Sequence, residues 1–177
     1  MRLLILSAAA AAVTVLFFGF WNLSSAASNI VVDSAPTYNQ WAWNDIIGWI
    51  DLRITGDEQV NVQATEVRGY GKNNAVGYLQ LNCDTAVPGG TADCATATNW
   101  KVQVTQSTGD LSGWAWNDHI GWISFWCGNP TSNDCATAGN WRVSIIGDGQ
   151  FRGWAWNDVI GWISFNCNHT DSFEGLT

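Results

Sequence analysis

A short segment recurs four times along the chain, with aromatic residues, asparagine and glycine at fixed positions. Two copies read GWAWNDHIGWISFWC at residues 113–127 and GWAWNDVIGWISFNC at residues 153–167. A third copy, QWAWNDIIGWIDLRI, occupies residues 40–54, and a more divergent one, GYGKNNAVGYLQLNC, occupies residues 69–83. Since the internal spacing is unchanged in all four, the sequence indicates a duplicated supersecondary unit.

Each copy is predicted to form a β-hairpin. Small residues and tryptophans alternate with a period of two across 113–116, and the β-favouring Trp122, Ile123 and Phe125 follow across 122–125, which is typical of strands. The intervening residues 117–121 begin with Asn and Asp, which initiate turns, and end with Gly121, which can adopt a positive φ. This loop length predicts that Trp116 pairs with Trp122 and that Ala115 pairs with Ile123.

The predicted pairing gives every hairpin two unlike faces. One face carries small and aliphatic residues, which in and just before the copy at residues 113–127 are Leu111, Gly113, Ala115, Ile123 and Phe125. The other face carries the tryptophans Trp41, Trp43, Trp49, Trp114, Trp116, Trp122, Trp154, Trp156 and Trp162. Because Asp51, Lys72 and Arg152 share the aromatic face, and an unpaired buried charge is costly, that face is expected to be partly wet. We therefore assign the aliphatic face to the core and the tryptophans to a ligand or partner surface.

A β-branched run precedes each hairpin, so the unit is predicted to have three antiparallel strands. The fold class is then all-β, with one domain over residues 28–177, and the units are expected to stack as a sandwich or a solenoid-like array. A propeller is disfavoured because the units lack a fourth strand. An array of this kind leaves strand edges open to self-association. The predicted units span residues 29–54, 55–83, 95–127 and 136–167.

Residues 1–27 have the organisation of a secretory signal peptide. Arg2 precedes an uncharged run over residues 3–20, and Ser25 and Ala27 supply small residues before a cleavage point. The alternative is an uncleaved membrane anchor, because the run has about the minimum length for spanning a bilayer. We expect a secreted or cell-surface protein that contacts a membrane only through this segment.

The cysteines support an extracellular location. Cys83, Cys127 and Cys167 occupy the same repeat position, while Cys94 and Cys135 each precede a new unit. In an exported chain this pattern predicts the disulfides Cys83–Cys94 and Cys127–Cys135. Three interpretations of Cys167 stay open: a buried thiol, a cross-link to another chain, or a shortened member of a longer array.

Composition excludes several classes of function. A net charge of −8 disfavours nucleic-acid binding, and 47% hydrophobic residues is too high for a disordered acidic tail. The cysteines lack the paired spacing of a zinc site, so no metal or other cofactor is expected. A nucleophile motif and a phosphate loop are also missing. The recurring Asp45, Asp118 and Asp158 are interpreted as turn residues, and a glycoside hydrolase using such carboxylates is the least favoured alternative.

The motif GWAW…IGWISF resembles the tandem repeats of uncharacterised secreted or surface proteins of bacteria. The resemblance is close over residues 40–54, 113–127 and 153–167 and looser over 69–83. It implies export and a repeated architecture, and it carries no established activity.

These observations favour a non-catalytic, exported cell-surface protein with a structural or adhesive role, able to self-associate. The alternative is a carbohydrate-binding module in which exposed indoles contact the apolar faces of sugar rings. The tryptophans have a purely structural explanation too, as cross-strand stacked pairs. In that explanation Lys101 and Arg142 cap indole faces by cation–π contact.

Overall fold

The fold was analysed in a computed structural model, which describes residues 40–53, 60–92, 94, 99–130, 135–146 and 150–165. The leader at residues 1–27, the predicted strand at residues 30–32 and Cys167 lie outside the described residues. No helix in the described portion is long and apolar enough to cross a membrane.

The described chain is all-β apart from one helical turn. Its strands are β1 (Trp41–Asn44), β2 (Gly48–Asp51), β3 (Asn61–Val62), β4 (Glu66–Arg68), β5 (Tyr70–Asn73), β6 (Gly77–Gln80), β7 (Val102–Thr105), β8 (Asp110–Asn117), β9 (Gly121–Ser124), β10 (Val143–Ile145), β11 (Phe151–Asn157) and β12 (Gly161–Ser164). The helical turn, α1 (Cys135–Ala138), lies between β9 and β10.

Each copy of the motif forms the predicted hairpin. We number them hairpin 1 (β1–β2), hairpin 2 (β5–β6), hairpin 3 (β8–β9) and hairpin 4 (β11–β12). In hairpin 3 Trp116 pairs with Trp122 and Ala115 with Ile123, and the other three hairpins keep this register. Gly121 closes the turn with φ of 75°. The predicted strand register and the closing glycine are therefore confirmed. The turn itself is shorter than the predicted five residues, because Asn117 and Gly121 pair as the last residues of the two strands and only residues 118–120 lie between them.

The four hairpins close into an eight-stranded antiparallel barrel. Strand β2 pairs with β5, β6 with β8, β9 with β11, and β12 returns to pair with β1. The prediction of a sandwich or solenoid is thus wrong, because the last hairpin pairs with the first. Because the barrel is closed, it has no open strand edges of the kind that were expected to support self-association.

A second set of strands continues beyond one end of the barrel, in the order β3–β4–β7–β8–β10–β11. Strands β8 and β11 belong to both sheets, and each passes from one to the other at a glycine, Gly113 or Gly153, with φ of 79° or 98°. In the second copy the same strand is interrupted at Gly69. The three-stranded units are therefore present in outline in the last three copies, with their strands divided between the two sheets.

The aliphatic face lines the barrel, as predicted. Small residues in the first strand of each hairpin oppose larger ones in the second, since Ala115 pairs with Ile123 and Gly71 with Leu79. An eight-stranded barrel has an interior that side chains alone can fill. The inward side chains, which are all buried, are Ala42, Ile50, Leu52, Leu79, Leu81, Ala115, Ile123, Phe125, Ala155, Ile163 and Phe165.

Both predicted disulfides are present. Cys83 is bonded to Cys94 and Cys127 to Cys135, with Cα–Cα separations of 4.8 and 4.9 Å. Each bond closes a loop between consecutive units, and both are compatible with an oxidising compartment.

Candidate functional site

The outer surface of the barrel carries a belt of aromatic rings. We define this aromatic belt as Trp41, Trp43, Trp49, Tyr70, Tyr78, Trp114, Trp116, Trp122, Trp154, Trp156 and Trp162. In hairpins 1, 3 and 4 the two tryptophans that face each other across the strands have ring centroids 4.8 Å apart in a T-shaped arrangement. Hairpin 2 has Tyr70 and Tyr78 in contact at 5.0 Å.

The belt is partly accessible to solvent. Trp49 and Trp122 expose 44% and 43% of their surface, and the other seven belt tryptophans are half-buried. Tyr70 is only 2% exposed, so the divergent second copy is drier than the sequence suggested. The outer surface of the barrel is not accessible along its whole length. Next to the second sheet, the side chains of Gln80, Ser124 and Ser164 are buried.

Neighbouring rings restrain the belt tryptophans of the second strands. Trp122 makes T-shaped contacts with Trp116, with Trp114 at 6.3 Å, and with the buried Trp100 at 5.4 Å. Trp162 is held in the same way, with Trp141 in the position of Trp100. Aromatic pairs of this geometry add about 0.5–1.5 kcal/mol each beyond the burial of their area. The exposed indole of Trp122 therefore has a fixed orientation.

The repeated aspartates hold the indoles in place. The Nε1–H groups of Trp43, Trp116 and Trp156 each donate a 2.9 Å hydrogen bond to the aspartate two residues later, Asp45, Asp118 or Asp158. All three carboxylates are exposed. The three aspartates were predicted to be turn residues. In the structure each of them also accepts a hydrogen bond from the indole N–H of the tryptophan two residues earlier.

The asparagine that precedes each aspartate links one hairpin to the next. In hairpin 3 the Asn117 amide donates to the backbone oxygens of Val76 and Tyr78 at 2.8 and 2.7 Å, and its oxygen accepts the N–H groups of His119 and Ile120. The same pattern recurs in the other three hairpins, so the links form a closed ring, and we call its members the asparagine ring: Asn44, Asn73, Asn117 and Asn157.

The links between hairpins are not predicted from the sequence, although the turns are. The available signal was the divergent copy, which retains Asn73 but replaces the following aspartate with Asn74. A residue needed only to start a turn would be as replaceable as its neighbour, whereas a buried asparagine with four hydrogen bonds is not.

The two cations expected to cap indoles bind carboxylates instead. Lys101 Nζ lies 3.0 Å from Glu66 Oε2, and Arg142 Nη1 lies 2.8 Å from Asp110 Oδ2. Burial tends to raise the pKa of Asp110, but hydrogen bonds from Ser144 and Thr108 and the charge of Arg142 outweigh it and lower the pKa below its usual value. A cation–π contact does occur in hairpin 2, where Lys72 Nζ lies 5.7 Å from the centre of the Tyr78 ring.

A cleft of about 200 Å³ lies between hairpins 2 and 3. One side is the turn Val87–Gly90, in which Gly90 N–H donates to the Val87 carbonyl at 2.9 Å and Gly89 has φ of 80°. Proline followed by a glycine of positive φ defines a type II turn. The lining residues are Val76, Gly77, Tyr78, Gln80, Val87, Pro88, Gly89, Gly90, Trp116, Asn117, Asp118 and His119.

Cys83, Asp84 and Cys94 are the one group of potential metal ligands that come together in the described residues. Since both sulfurs belong to the disulfide, neither is available as a thiolate ligand.

No family model, curated protein or solved structure matches this chain.

Proposed function

We propose that this chain is an exported, non-catalytic adhesive protein whose aromatic belt binds the sugar rings of a surface glycan. The observation that carries the proposal is the exposure of Trp49 and Trp122 on a rigid barrel, where neighbouring rings already fix their orientation. Ordering a flexible side chain weakens binding, and a restrained indole avoids most of that cost.

The chemistry of the belt suits carbohydrate. Indoles offer flat apolar surfaces, while Asp45, Asp118 and Asp158 supply exposed oxygens beside them that can accept hydrogen bonds from hydroxyl groups. Repetition of the motif around the barrel places similar weak sites on several sides. A polymeric glycan that contacts more than one of them gains affinity through effective concentration.

Export is the second part of the proposal. It is supported by the two disulfides and by the signal-like leader at residues 1–27. The resemblance of the repeats to secreted bacterial proteins points in the same direction.

A titration of soluble polysaccharides followed by tryptophan emission tests glycan binding. We expect a saturable shift, and we expect Trp49→Ala and Trp122→Ala each to weaken binding about tenfold, the usual size of the effect when an anchoring aromatic is truncated. Val159→Ala is the matched control, because Val159 is 65% exposed on a hairpin turn but carries no ring. If a broad panel of neutral and charged polysaccharides leaves the emission unchanged, the proposal fails.

A second candidate is self-association through the hairpin turns. The turns of all four hairpins lie at the same end of the barrel, and the adjacent hairpins 1 and 4 expose Ile46 and Val159 by 70% and 65% there. Light scattering at high concentration, with and without reductant, tests this candidate and any cross-link through Cys167. Assembly should be reduced by Ile46→Asp combined with Val159→Asp; a monomer under both conditions would exclude it.

A further inference from the structure

We propose that the cleft between hairpins 2 and 3 is a subsite for a single, non-anionic sugar ring, with Asp118 as the residue that rejects acidic sugars. The inference rests on the proposed function in taking carbohydrate as the ligand. It goes further by naming one location, one size of ligand and one determinant of charge selectivity.

The size of the cleft limits the ligand. A volume of about 200 Å³ lies below the roughly 300–1,000 Å³ that is usual for sites of larger organic ligands, so the cleft suits a ligand of the size of one ring. Tyr78 stands where Trp122 and Trp162 stand in hairpins 3 and 4. This smaller ring helps to leave space beside Trp116.

The walls are held in place before a ligand arrives. The Val87–Gly90 turn lies within the loop closed by the Cys83–Cys94 disulfide. Gln80, itself a buried lining residue, donates from Nε2 to the backbone oxygen of Thr85 and ties the same loop to hairpin 2. On the opposite side, Trp116 is fixed by its bond to Asp118. Preformed walls that combine an aromatic surface with fixed polar groups are typical of small-molecule sites.

Charge then determines which sugar fits. Asp118 is an exposed carboxylate that lines the cleft, so a sugar carboxylate would meet like charge at short range. No lysine or arginine is among the described residues that line the cleft, and Lys72 lies over the Tyr78 ring without lining the cleft itself. Hydroxyl groups or a protonated amine can instead interact favourably with Asp118, and His119 supplies a second polar group.

The chain contains its own reference site. Trp156 and Asp158 in hairpin 4 make the same 2.9 Å bond as Trp116 and Asp118, but they do not line the cleft. Indole N–H signals in a ¹⁵N-tryptophan sample therefore report separately on the cleft and on an equivalent surface outside it.

The experiment is a titration of the full chain with glucose, glucosamine and glucuronate to about 50 mM, since single-ring ligands bind on the order of millimolar. We expect glucose and glucosamine to shift the Trp116 indole signal saturably in this range. The Trp156 signal should shift less, because a belt site outside the cleft offers a sugar one wall only. Glucuronate should bind at least about tenfold more weakly than glucosamine.

Asp118→Asn should largely abolish the discrimination between glucosamine and glucuronate, because the amide keeps the shape and can still accept the Trp116 bond. Asp158→Asn is the matched control: because Asp158 does not line the cleft, the discrimination measured at the Trp116 signal should stay unchanged. The inference is overturned if Trp116 does not respond, if glucuronate binds as well as glucosamine, or if Asp158→Asn has the same effect as Asp118→Asn.

Failure of the cleft subsite can be distinguished from failure of glycan binding by the aromatic belt. Trp122 belongs to the belt but does not line the cleft. Polysaccharide binding that shifts Trp122 alone would retain the belt and exclude the cleft, whereas sugar binding confined to Trp116 would do the reverse.

Discussion

At the scale of single residues, the asparagine ring explains why all four copies of the repeat have asparagine at the first residue after the strand tryptophan or lysine. Asn117 is 1% exposed, and its amide satisfies two N–H groups of its own turn and two carbonyls of the preceding hairpin. Buried polar groups that lose their partners cost about 1–3 kcal/mol each. One side chain therefore both shapes a turn and joins two hairpins.

We predict that Asn117→Ala lowers the free energy of unfolding by about 3–5 kcal/mol, because it strands buried backbone groups on two hairpins. Asn117→Asp should lose at least as much as alanine at neutral pH, since it keeps the accepted bonds but sets a buried carboxylate oxygen against the Val76 and Tyr78 carbonyls. Urea unfolding monitored by tryptophan emission measures both. Asp118→Ala, one residue away and exposed, is the control, with an expected loss of about 1 kcal/mol or less. Equal losses at the two positions would contradict a linking role.

Asp110 should make the fold sensitive to acid. Its carboxylate accepts bonds from Arg142 Nη1 at 2.8 Å and Ser144 Oγ at 2.7 Å, and its pKa in the folded state is below the ordinary 3.8. The ionised form therefore stabilises the native state. That contribution is complete above the unfolded-state pKa and disappears as the pH falls through the lowered folded value.

Asp110→Asn should accordingly reduce stability at neutral pH by about 0.5–1 kcal/mol, the usual range for a half-exposed ion pair. The difference from wild type should shrink toward zero by about pH 2, where both states bind the proton. Denaturant unfolding of the two proteins across this range provides the measurement. A difference independent of pH would show that the effect is steric.

At the scale of elements, the long strands are shaped by the glycines where they pass between sheets. A Cβ on Gly153 would lie 2.0 Å from the Arg142 carbonyl oxygen, and one on Gly113 would lie 2.2 Å from that of Lys101. Both also have positive φ. The freed N–H of Gly113 is satisfied by Asn129 Oδ1 at 2.8 Å. These positions therefore require glycine for two independent reasons, backbone conformation and close approach.

Gly153→Ala and Gly77→Ala separate those two reasons. Gly77 has φ of 78° but nothing within 4 Å of an added Cβ, so its substitution should cost only the conformational penalty of about 1–2 kcal/mol. Gly153→Ala should cost at least about 3 kcal/mol, because the backbone of β10 must also move. Thermal unfolding of the two variants measures the difference in stability. Equal losses of stability would mean that the contact between the added Cβ at residue 153 and the Arg142 carbonyl is relieved at little cost.

The sequence was most informative at this scale. A period of two, the five residues between the paired tryptophans and a glycine before the return strand are local signals, and they predicted the register of Ala115 with Ile123 correctly. The close approach of Gly113 to a neighbouring backbone was not predicted from the sequence. A glycine opposite Phe125 is explained equally well by the Phe125 ring lying over the glycine backbone. Its actual neighbour is the Lys101 carbonyl, which belongs to a different strand and leaves no mark in the motif.

At the scale of the whole molecule, closure could not be deduced from the repeat. An open array and a ring use the same hairpins and nearly the same contacts between neighbours. They differ in the pairing of β12 with β1, and Asn44 bonds there to the Ile160 and Trp162 carbonyls, more than a hundred residues away. The aromatic side was predicted correctly as an outward surface; its exposed positions at Trp49 and Trp122 depend on this closed arrangement.

A closed barrel should unfold as a unit, and hydrogen exchange tests this. In an open array the end hairpins fray, so amides of β1 would exchange with a lower opening free energy than those of β8. In the ring β1 has partners on both sides, and we expect its protected amides to share the global opening free energy with β8 and β11. Asn44→Ala should lower protection by the same amount in all three strands, because it weakens one of four equivalent links. Faster exchange confined to β1 and β2 in that variant would contradict cooperative closure.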